Sequence, residues 1–328
     1  MGDSDSPTRN SPGLLGRIGV VGGGSIGVGW AIVFARAGHD TTVYEPEAPR
    51  RRILIEEVEV RLGELETFGL LDEAPAEIVS RLTVTGDLSE TLDGAAHVQE
   101  CAPESLPLKI GLFEKMDAGA DTTTTLASSS STLTISDIAG GLTGRARCLL
   151  AHPGNPPYLI RVVELAPAPF TDPETVDSAR ELFAGAGMLP ISVHQEIDCL
   201  VFNRLQGALL REALLLVRDG VIAPDDLDLL VSEGLARRWS VIGPLAVAEL
   251  NTRGGIVAHA GFMGLAYGRI GLERGQEDPW ESDVVRQVAE ALESRFPSSC
   301  RDDQVLWRDR ELMRLERDRR NRAKPPGR

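Results

Sequence analysis

Along the first two thirds of the chain, short apolar runs typical of strands alternate with longer segments that have the hydrophobic period of helices. Short apolar runs rich in β-branched residues predict strands at 18–21, 41–45, 82–85, 95–99, 122–127, 148–151, 162–165 and 188–193. Several intervening segments, such as 48–68 and 106–116, carry apolar residues at helical spacing. Alternating strands and helices predict an α/β fold with a doubly wound, mostly parallel sheet.

The pattern changes after Cys199. Helices are predicted at 202–217, 225–233, 242–250 and 283–295, and no obvious strand follows. Residues 304–322 alternate acids and arginines, which predicts a solvated helix or tail. The sequence therefore predicts a sheet domain at 17–198 and an all-α domain with a charged C-terminal tail at 199–328. Residues 1–16, rich in Ser, Pro and Gly, predict a disordered N-terminal segment.

The glycines after the first strand predict a dinucleotide site. Gly22, Gly24 and Gly27 satisfy G-x-G-x-x-G between a predicted strand and a predicted helix. Glu45 ends the second strand eighteen residues after Gly27, where a carboxylate accepts hydrogen bonds from the adenosine ribose and repels a 2′-phosphate. The order of these parts predicts a Rossmann-type domain that binds NAD rather than NADP, although three arginines (residues 50–52) follow Glu45.

The same letters match a second motif. Gly23, Ser25 and Gly27 spell G-x-S-x-G, the nucleophile elbow of α/β-hydrolases. That fold needs several strands and an oxyanion loop before the serine, and only 24 residues precede Ser25. We therefore reject the hydrolase interpretation.

Composition narrows the class of protein. The 328 residues favour two domains, and 42% hydrophobic with 25% charged residues is typical of a soluble globular chain. A net charge of −15 argues against nucleic acid and anionic membranes as partners. The polar first residues do not resemble a secretory signal, and no apolar run is long enough to span a membrane. Four widely spaced cysteines suggest reduced thiols in the cytoplasm and no metal site.

Three segments contain candidate catalytic or binding residues. Two of them follow predicted strands, and the third follows the domain junction. Four serines at 128–131 form either a polar turn that caps a helix or part of a site. His152 precedes a proline-rich turn that can place Glu164 opposite it, and a carboxylate fixes an imidazole tautomer and raises its basicity. The alternative is a structural histidine. Asn203, at the start of the long helix, is either a cap or a cleft residue.

Six segments together resemble the 3-hydroxyacyl-CoA dehydrogenase superfamily, most closely its lambda-crystallin / L-gulonate 3-dehydrogenase branch. They are residues 21–27, 98–104, 127–133, 152–164, 203–206 and 232–244. The resemblance covers about residues 17–275. It implies that Ser131 and Asn203 hold the reacting oxygen, that His152 is the general base, and that Glu164 orients it. The residues implied to contact NAD are Gly22, Gly24, Ser25, Ile26, Gly27, Glu45, Glu104, Lys109 and Asn155.

The resemblance also implies a substrate class. We expect an NAD-dependent dehydrogenase that oxidises the 3-hydroxyl of a small polar acid such as L-gulonate, because residues 53–80 hold many acids and no lysine for CoA phosphates. Arg238 is the candidate for the substrate carboxylate, with a surface arginine as the alternative. Gly154, where relatives are bulkier, is expected to widen the pocket.

Other outcomes remain open at this stage. The alternative functions are a 3-hydroxyacyl-CoA (for example 3-hydroxybutyryl-CoA) dehydrogenase, a carnitine-type dehydrogenase, or an inactive NAD-binding or structural homologue. Within the superfamily the helical domain commonly forms a homodimer, so the apolar helices of 199–275 are expected to pack against a second subunit.

Overall fold

The computed structural model describes residues 16–274 and 297–321, together with positions 283, 286 and 293. The chain divides into two compact units, one of residues 1–203 and 306–328 and one of residues 204–305. The predicted disordered segment therefore lies outside the described residues except for Gly16, and the predicted helix at 283–295 lies almost entirely outside them.

Eight strands form one sheet within the described residues, in the order β3-β2-β1-β4-β5-β6-β7-β8. The strands are β1 Arg17–Val21, β2 Thr41–Tyr44, β3 Leu82–Thr85, β4 Ala95–Glu100, β5 Thr125–Ser128, β6 Cys148–Pro153, β7 Val162–Pro167 and β8 Leu189–Ser192. All neighbours are parallel except β6 and β7. The predicted doubly wound, mostly parallel sheet is confirmed.

Helices connect the strands and make up the second unit. In the first unit they are α1 Ser25–Arg36, α2 Ala48–Thr67, α3 Pro75–Val79, α4 Leu88–Leu92, α5 Leu106–Gly119, α6 Ile135–Ala139 and α7 Pro173–Gly185. Then follow α8 Leu200–Arg218, α9 Pro224–Leu229, a π-helical stretch Leu230–Leu235, α10 Ala236–Trp239, α11 Pro244–Asn251, α12 Gly255–Arg274 and α13 Arg301–Asn321. No helix of the described residues is both long enough and apolar enough to cross a membrane.

The apolar core lies on both faces of the sheet because strand side chains alternate between them. Val20 packs into one cluster and its neighbour Val21 into the other, and Leu149 and Leu150 divide in the same way. Helices therefore cover both faces of the sheet, and the ends of the parallel strands are left to carry polar groups.

The C-terminal helix corrects the predicted domain boundary. Residues 306–328 belong to the first unit, whereas the sequence analysis assigned them to the helical domain as a solvated tail. Met313 of α13 is 1% exposed within the main core. The Arg310 guanidinium donates to both carboxylate oxygens of Glu64 on α2, at 2.5 and 2.6 Å. Dense charge predicted a solvated segment, but one buried methionine and one ion pair fasten it to the sheet domain.

Helix α12 is an element that the sequence analysis missed. Five of its twenty residues are glycine (residues 255, 261, 264, 268 and 271), and glycine is a poor helix former. Its apolar residues also lack a clear period. Neither helix propensity nor hydrophobic period therefore indicated this helix in the sequence.

Candidate active site

The glycine turn after β1 has the close approaches that a dinucleotide cradle needs. Gly22 has a φ of +110°, and a Cβ there would lie 3.0 Å from the backbone of Cys101. A Cβ on Gly27 would lie 1.8 Å from the Gly22 carbonyl oxygen. Gly24 faces open space at the start of α1, and within the described residues no side chain caps that helix. The first N–H groups of α1 are therefore available to a pyrophosphate.

Glu45 is fixed beside this turn. Its Oε2 accepts a hydrogen bond from the Gly23 N–H at 2.9 Å, and its Oε1 accepts one from the Glu47 N–H at 2.9 Å. The nearby arginines are directed at backbone instead: Arg50 donates to the Gly23 carbonyl at 2.7 Å, and Arg51 to the Glu45 carbonyl at 2.6 Å. The carboxylate is thus preorganised for ribose hydroxyls, which fits NAD.

A groove of about 700 Å³ runs along the turn. Five of the residues that the sequence analysis assigned to the cofactor line this groove: Gly22, Gly24, Ser25, Ile26 and Glu45. Gly27 instead contributes the close packing beneath the groove. Lys115 also lines the groove and was missed, although its rarity, as one of only three lysines in the chain, was the available signal.

Glu104 organises the serine loop that follows β5. Its Oε1 accepts hydrogen bonds from the Ser130 hydroxyl at 2.6 Å, from the Ser131 N–H at 3.0 Å, and from the Thr132 N–H and hydroxyl at 2.8 Å each. Burial opposes ionisation, but the hydrogen bonds from Ser130 and Thr132 outweigh it and lower the pKa of Glu104 to about 2. The carboxylate therefore stays charged and holds Ser131 in place. Its contact with NAD stays a prediction.

Lys109 has partners within the protein that the sequence analysis did not name. Its ammonium group is buried and donates to the two carboxylate oxygens of Glu100, at 2.8 and 3.0 Å, and to the Ala102 carbonyl at 3.0 Å. The Ser128 hydroxyl donates to Glu100 Oε2, one of the same two oxygens, at 2.5 Å. An ammonium group has three donors, so these contacts occupy all of them. Lys109 thus supports the loops after β4 and β5, and its direct contact with NAD stays a prediction.

His152 and Glu164 form the pair that the turn between them was expected to allow. They are directly opposite each other on the antiparallel strands β6 and β7, and both are largely buried. The His152 Nδ1–H donates to Glu164 Oε2 at 2.9 Å. This contact fixes the tautomer with the proton on Nδ1 and leaves Nε2 as the proton acceptor.

The second carboxylate oxygen of Glu164 contacts the first turn of α8. Its Oε1 accepts a hydrogen bond from the Phe202 N–H at 3.0 Å, and the Phe202 ring meets the His152 imidazole edge-on at 6.4 Å between centroids. Asn203 follows Phe202 in the first turn of α8, which begins at Leu200, so Asn203 is not the helix cap. The same carboxylate therefore positions both the imidazole and the turn that carries Asn203.

Three further predicted residues are described by their element and their exposure. Ser131 is half-buried, and Asn155 is exposed on the loop between β6 and β7. Arg238 is exposed on α10 in the second unit. Their contacts with cofactor or substrate stay predictions.

Gly154 requires a correction. The sequence analysis expected it to widen the pocket, but a Cβ there would lie 2.2 Å from the Ile160 side chain. The glycine therefore allows the β6–β7 loop to close on itself.

A buried polar chain beneath the site was also missed. Gln99 donates to the Ser129 hydroxyl at 2.7 Å and to the Ala151 carbonyl at 3.2 Å, and the Trp30 indole donates to the same hydroxyl at 3.1 Å. These bonds tie α1, β4, the serine loop and β6 together. A glutamine inside an apolar strand was the signal in the sequence. No cluster of metal-binding side chains is found among the described residues.

Two family models match consecutive parts of the chain. The 3-hydroxyacyl-CoA dehydrogenase NAD binding domain matches residues 17–197, and the 3-hydroxyacyl-CoA dehydrogenase C-terminal domain matches residues 200–295. A lambda-crystallin homolog from Bos taurus is 37% identical over 94% of this chain and 97% of its own length. An L-carnitine dehydrogenase from Streptomyces griseus is 37% identical over 74% of this chain and 72% of its own length.

A solved structure with the same arrangement is 5-formyl-3-hydroxy-2-methylpyridine 4-carboxylic acid 5-dehydrogenase, described as an NAD⁺-dependent dismutase. It superposes with a TM-score of 0.81 at 26% identity, covering 94% of this chain and 99% of that one. The likeness therefore extends through both units.

Proposed function

We propose, from the premise that this chain belongs to the 3-hydroxyacyl-CoA dehydrogenase family of NAD-dependent oxidoreductases, that it oxidises the 3-hydroxyl of a small polar 3-hydroxy acid such as L-gulonate. The observation that carries the proposal is the 2.9 Å contact between His152 Nδ1 and Glu164 Oε2. It leaves a base with a free Nε2 backed by a carboxylate, which is the arrangement that alcohol oxidation requires.

Each residue of the proposed active site has its own role in the oxidation. His152 Nε2 takes the hydroxyl proton, and Glu164 stabilises the imidazolium that results. Ser131 and Asn203 donate hydrogen bonds to the oxygen as it becomes a carbonyl. Glu104 and the Lys109–Glu100 pair keep the serine loop in place while this happens. Bound NAD supplies the hydride acceptor.

A small free acid is favoured by charge and by relationship. Residues 53–80, which include most of α2, hold many acids and no lysine, so CoA phosphates would meet repulsion there. Lambda-crystallin homologs match nearly the whole chain. Arg238 is proposed to bind the substrate carboxylate, since a guanidinium fits it bidentately.

The test is a substrate panel followed by NADH absorbance. We expect kcat/KM for L-gulonate or a related 3-hydroxy acid to exceed the values for L-carnitine and for 3-hydroxybutyryl-CoA, and His152→Ala to abolish turnover. If the thioester or carnitine is preferred by a large margin, the substrate proposal is wrong. If the wild-type protein turns over none of them while still binding NAD, it is an inactive homologue.

A homodimer is the proposed assembly. The described part of the second unit exposes many large apolar side chains, among them Val257, Phe262, Leu265 and Leu272 on α12, each at least 78% exposed. Apolar exposure on this scale marks a protein interface.

All four cysteines lie within the described residues and are free thiols, which supports a reducing compartment, and we propose the cytoplasm.

A further inference from the structure

A second cavity lies against the C-terminal end of α1. It has a volume of about 240 Å³ and is bounded by α1, the loop of residues 157–161, the segment before β8, and α13. The twelve residues of α1 separate it from the glycine turn by about 18 Å at 1.5 Å per residue. Among the described residues, it shares no lining residue with the cofactor groove. The cavity is therefore separate from the dinucleotide site.

Three arginines of the described chain line this cavity, and each comes from a different element. Arg36 lies at the end of α1, Arg161 directly before β7, and Arg320 near the end of α13. Arg36 donates to the Leu70 carbonyl at 2.9 Å, and Arg161 donates to the Gly187 carbonyl at 3.0 Å. A guanidinium carries five N–H donors, so these anchors orient the groups without using up their donors.

The arginines are held in an arrangement that costs electrostatic energy. Burial, and after it the charge of Arg320, lowers the pKa of Arg36. Burial, and after it the charge of Arg319, lowers the pKa of Arg161. Each shift means that the charged form is disfavoured where it stands. An anion in the cavity would oppose that effect on both Arg36 and Arg161.

Two carboxylates also line the cavity and leave it positive. Glu73 is already bound by Arg81, whose guanidinium donates to both of its oxygens at 2.5 and 2.6 Å. Asp72 also lines the cavity, and Glu316, outside the lining, accepts a hydrogen bond from Arg320 Nε at 3.3 Å. The lining itself thus carries three arginines against two carboxylates. A positive cavity is unusual in a chain with a net charge of −15, so general composition does not account for it.

We propose that this cavity binds a phosphate dianion, either free or as the phosphate of a small monoester. Guanidinium groups pair bidentately with phosphate oxygens, and three of them approaching from separate elements suit a tetrahedral anion better than a planar carboxylate. A volume of about 240 Å³ is enough for a phosphate that carries a small alcohol. The bound anion bridges α1, the 157–161 loop and α13, and so fastens the C-terminal helix to the sheet.

Binding is tested on the full chain saturated with NAD, so that phosphate does not act at the glycine turn. Inorganic phosphate and glycerol 3-phosphate are titrated by calorimetry, and the melting temperature is followed in parallel against chloride at equal ionic strength. A ligand at ten times its Kd is expected to raise Tm by about 3 °C. Glycerol 3-phosphate binding at least as tightly as phosphate would identify a monoester site, and phosphate alone binding would identify a free-ion site.

Substitutions make the test specific. Arg320→Gln and Arg161→Gln should each weaken phosphate binding by tenfold or more. Arg320 is exposed, so its replacement is not expected to unfold the protein. Arg317→Gln removes the same charge one turn earlier on α13, outside the cavity lining, and should leave binding unchanged. An equal response to chloride, no saturable heat with either phosphate, or identical binding in Arg320→Gln and Arg161→Gln would each overturn the proposal. None of these outcomes depends on which substrate the enzyme oxidises.

Discussion

His152 and Glu164 are in contact because they are cross-strand partners in the one antiparallel step of the described sheet. Directly opposed residues on antiparallel strands place their side chains on the same face, and here Nδ1 and Oε2 lie 2.9 Å apart. The eleven residues between them (153–163) turn back directly and form no helical crossover. The base and its orienting acid are thus fixed by strand register.

Replacement of Glu164 by glutamine should reduce catalysis without loss of cofactor. The amide keeps the shape but removes the charge that stabilises the imidazolium, so kcat should fall about 100-fold. The KM for NAD should stay within twofold, because the glycine turn is unaffected. Steady-state kinetics provide the measurement, with Glu174→Gln on the exposed start of α7 as the control. A kcat close to that of wild type would exclude the orienting role.

The buried Lys109–Glu100 pair should matter for stability. Lys109→Met leaves the Glu100 carboxylate without its cation in a site that is 0% exposed, which should cost about 3–5 kcal/mol of unfolding free energy. The double variant Glu100→Gln with Lys109→Met should recover part of that loss, because no unpaired charge remains. Urea unfolding of both variants measures the difference. Equal stability of the single and double variants would contradict the prediction.

Glu45 should control the choice between NAD and NADP. In Glu45→Ala the carboxylate beside Gly23 is lost, so a 2′-phosphate is no longer repelled. The ratio of kcat/KM for NAD to that for NADP should fall tenfold or more, which corresponds to about 1.4 kcal/mol. Glu56→Ala, at an exposed position of α2 outside the groove lining, is the control and should leave the ratio unchanged. An unaltered ratio in Glu45→Ala would refute the ribose role.

His97 should make the protein less stable at mildly acidic pH. Burial lowers the pKa of His97 from 6.5 to about 4, so the unfolded chain binds this proton first. The resulting stability is present above pH 6.5 and is lost as the pH falls toward 4. From pH 7.5 to pH 5 the loss should be about 2 kcal/mol. In His97→Leu, urea unfolding should show a pH dependence smaller by that amount; a profile parallel to wild type would count against the assignment.

The exposed face of α12 should hold the proposed dimer together. Light scattering of wild-type protein should give twice the 35.3 kDa of one chain. Leu265→Glu places a charge in the apolar patch and should yield monomer, because an unpaired charge at an interface is costly. Leu315→Glu is the control: Leu315 is 60% exposed, against 78% for Leu265, but lies on α13 of the other unit. A monomeric wild type, or a dimeric Leu265→Glu, would contradict the proposed interface.

The sequence predicted the parts of the site that depend on local geometry. Gly22 and Gly27 must be glycine because of close backbone approaches within one turn, and Glu45 follows at a spacing set by one helix. Such constraints act over a few tens of residues, so the sequence records them directly. The partnership of His152 with Glu164 was also accessible, since a short turn joins them.

Other partnerships required the folded chain. Glu100 and Ser128 meet because they are paired at the ends of the parallel strands β4 and β5, and Lys109 reaches them from α5. Strand register cannot be read from the sequence. Glu104 accepts four hydrogen bonds from the serine loop, a partnership that no local pattern indicated, and its contact with NAD stays a prediction. Gly154 was taken for an opening in the pocket, and only the position of Ile160 revealed the close packing.

By itself, the sequence determined the alternation of strands and helices, the glycine turn with its acid, and the family. These features follow from hydrophobic period and from backbone sterics, which act locally. The tertiary structure decided where α13 packs, which carboxylate each cation meets, and that Arg36, Arg161 and Arg320 face one cavity. Those three arginines are separated by 125 and 159 residues along the chain (161 − 36 and 320 − 161), and only the packing of the elements that carry them makes them neighbours.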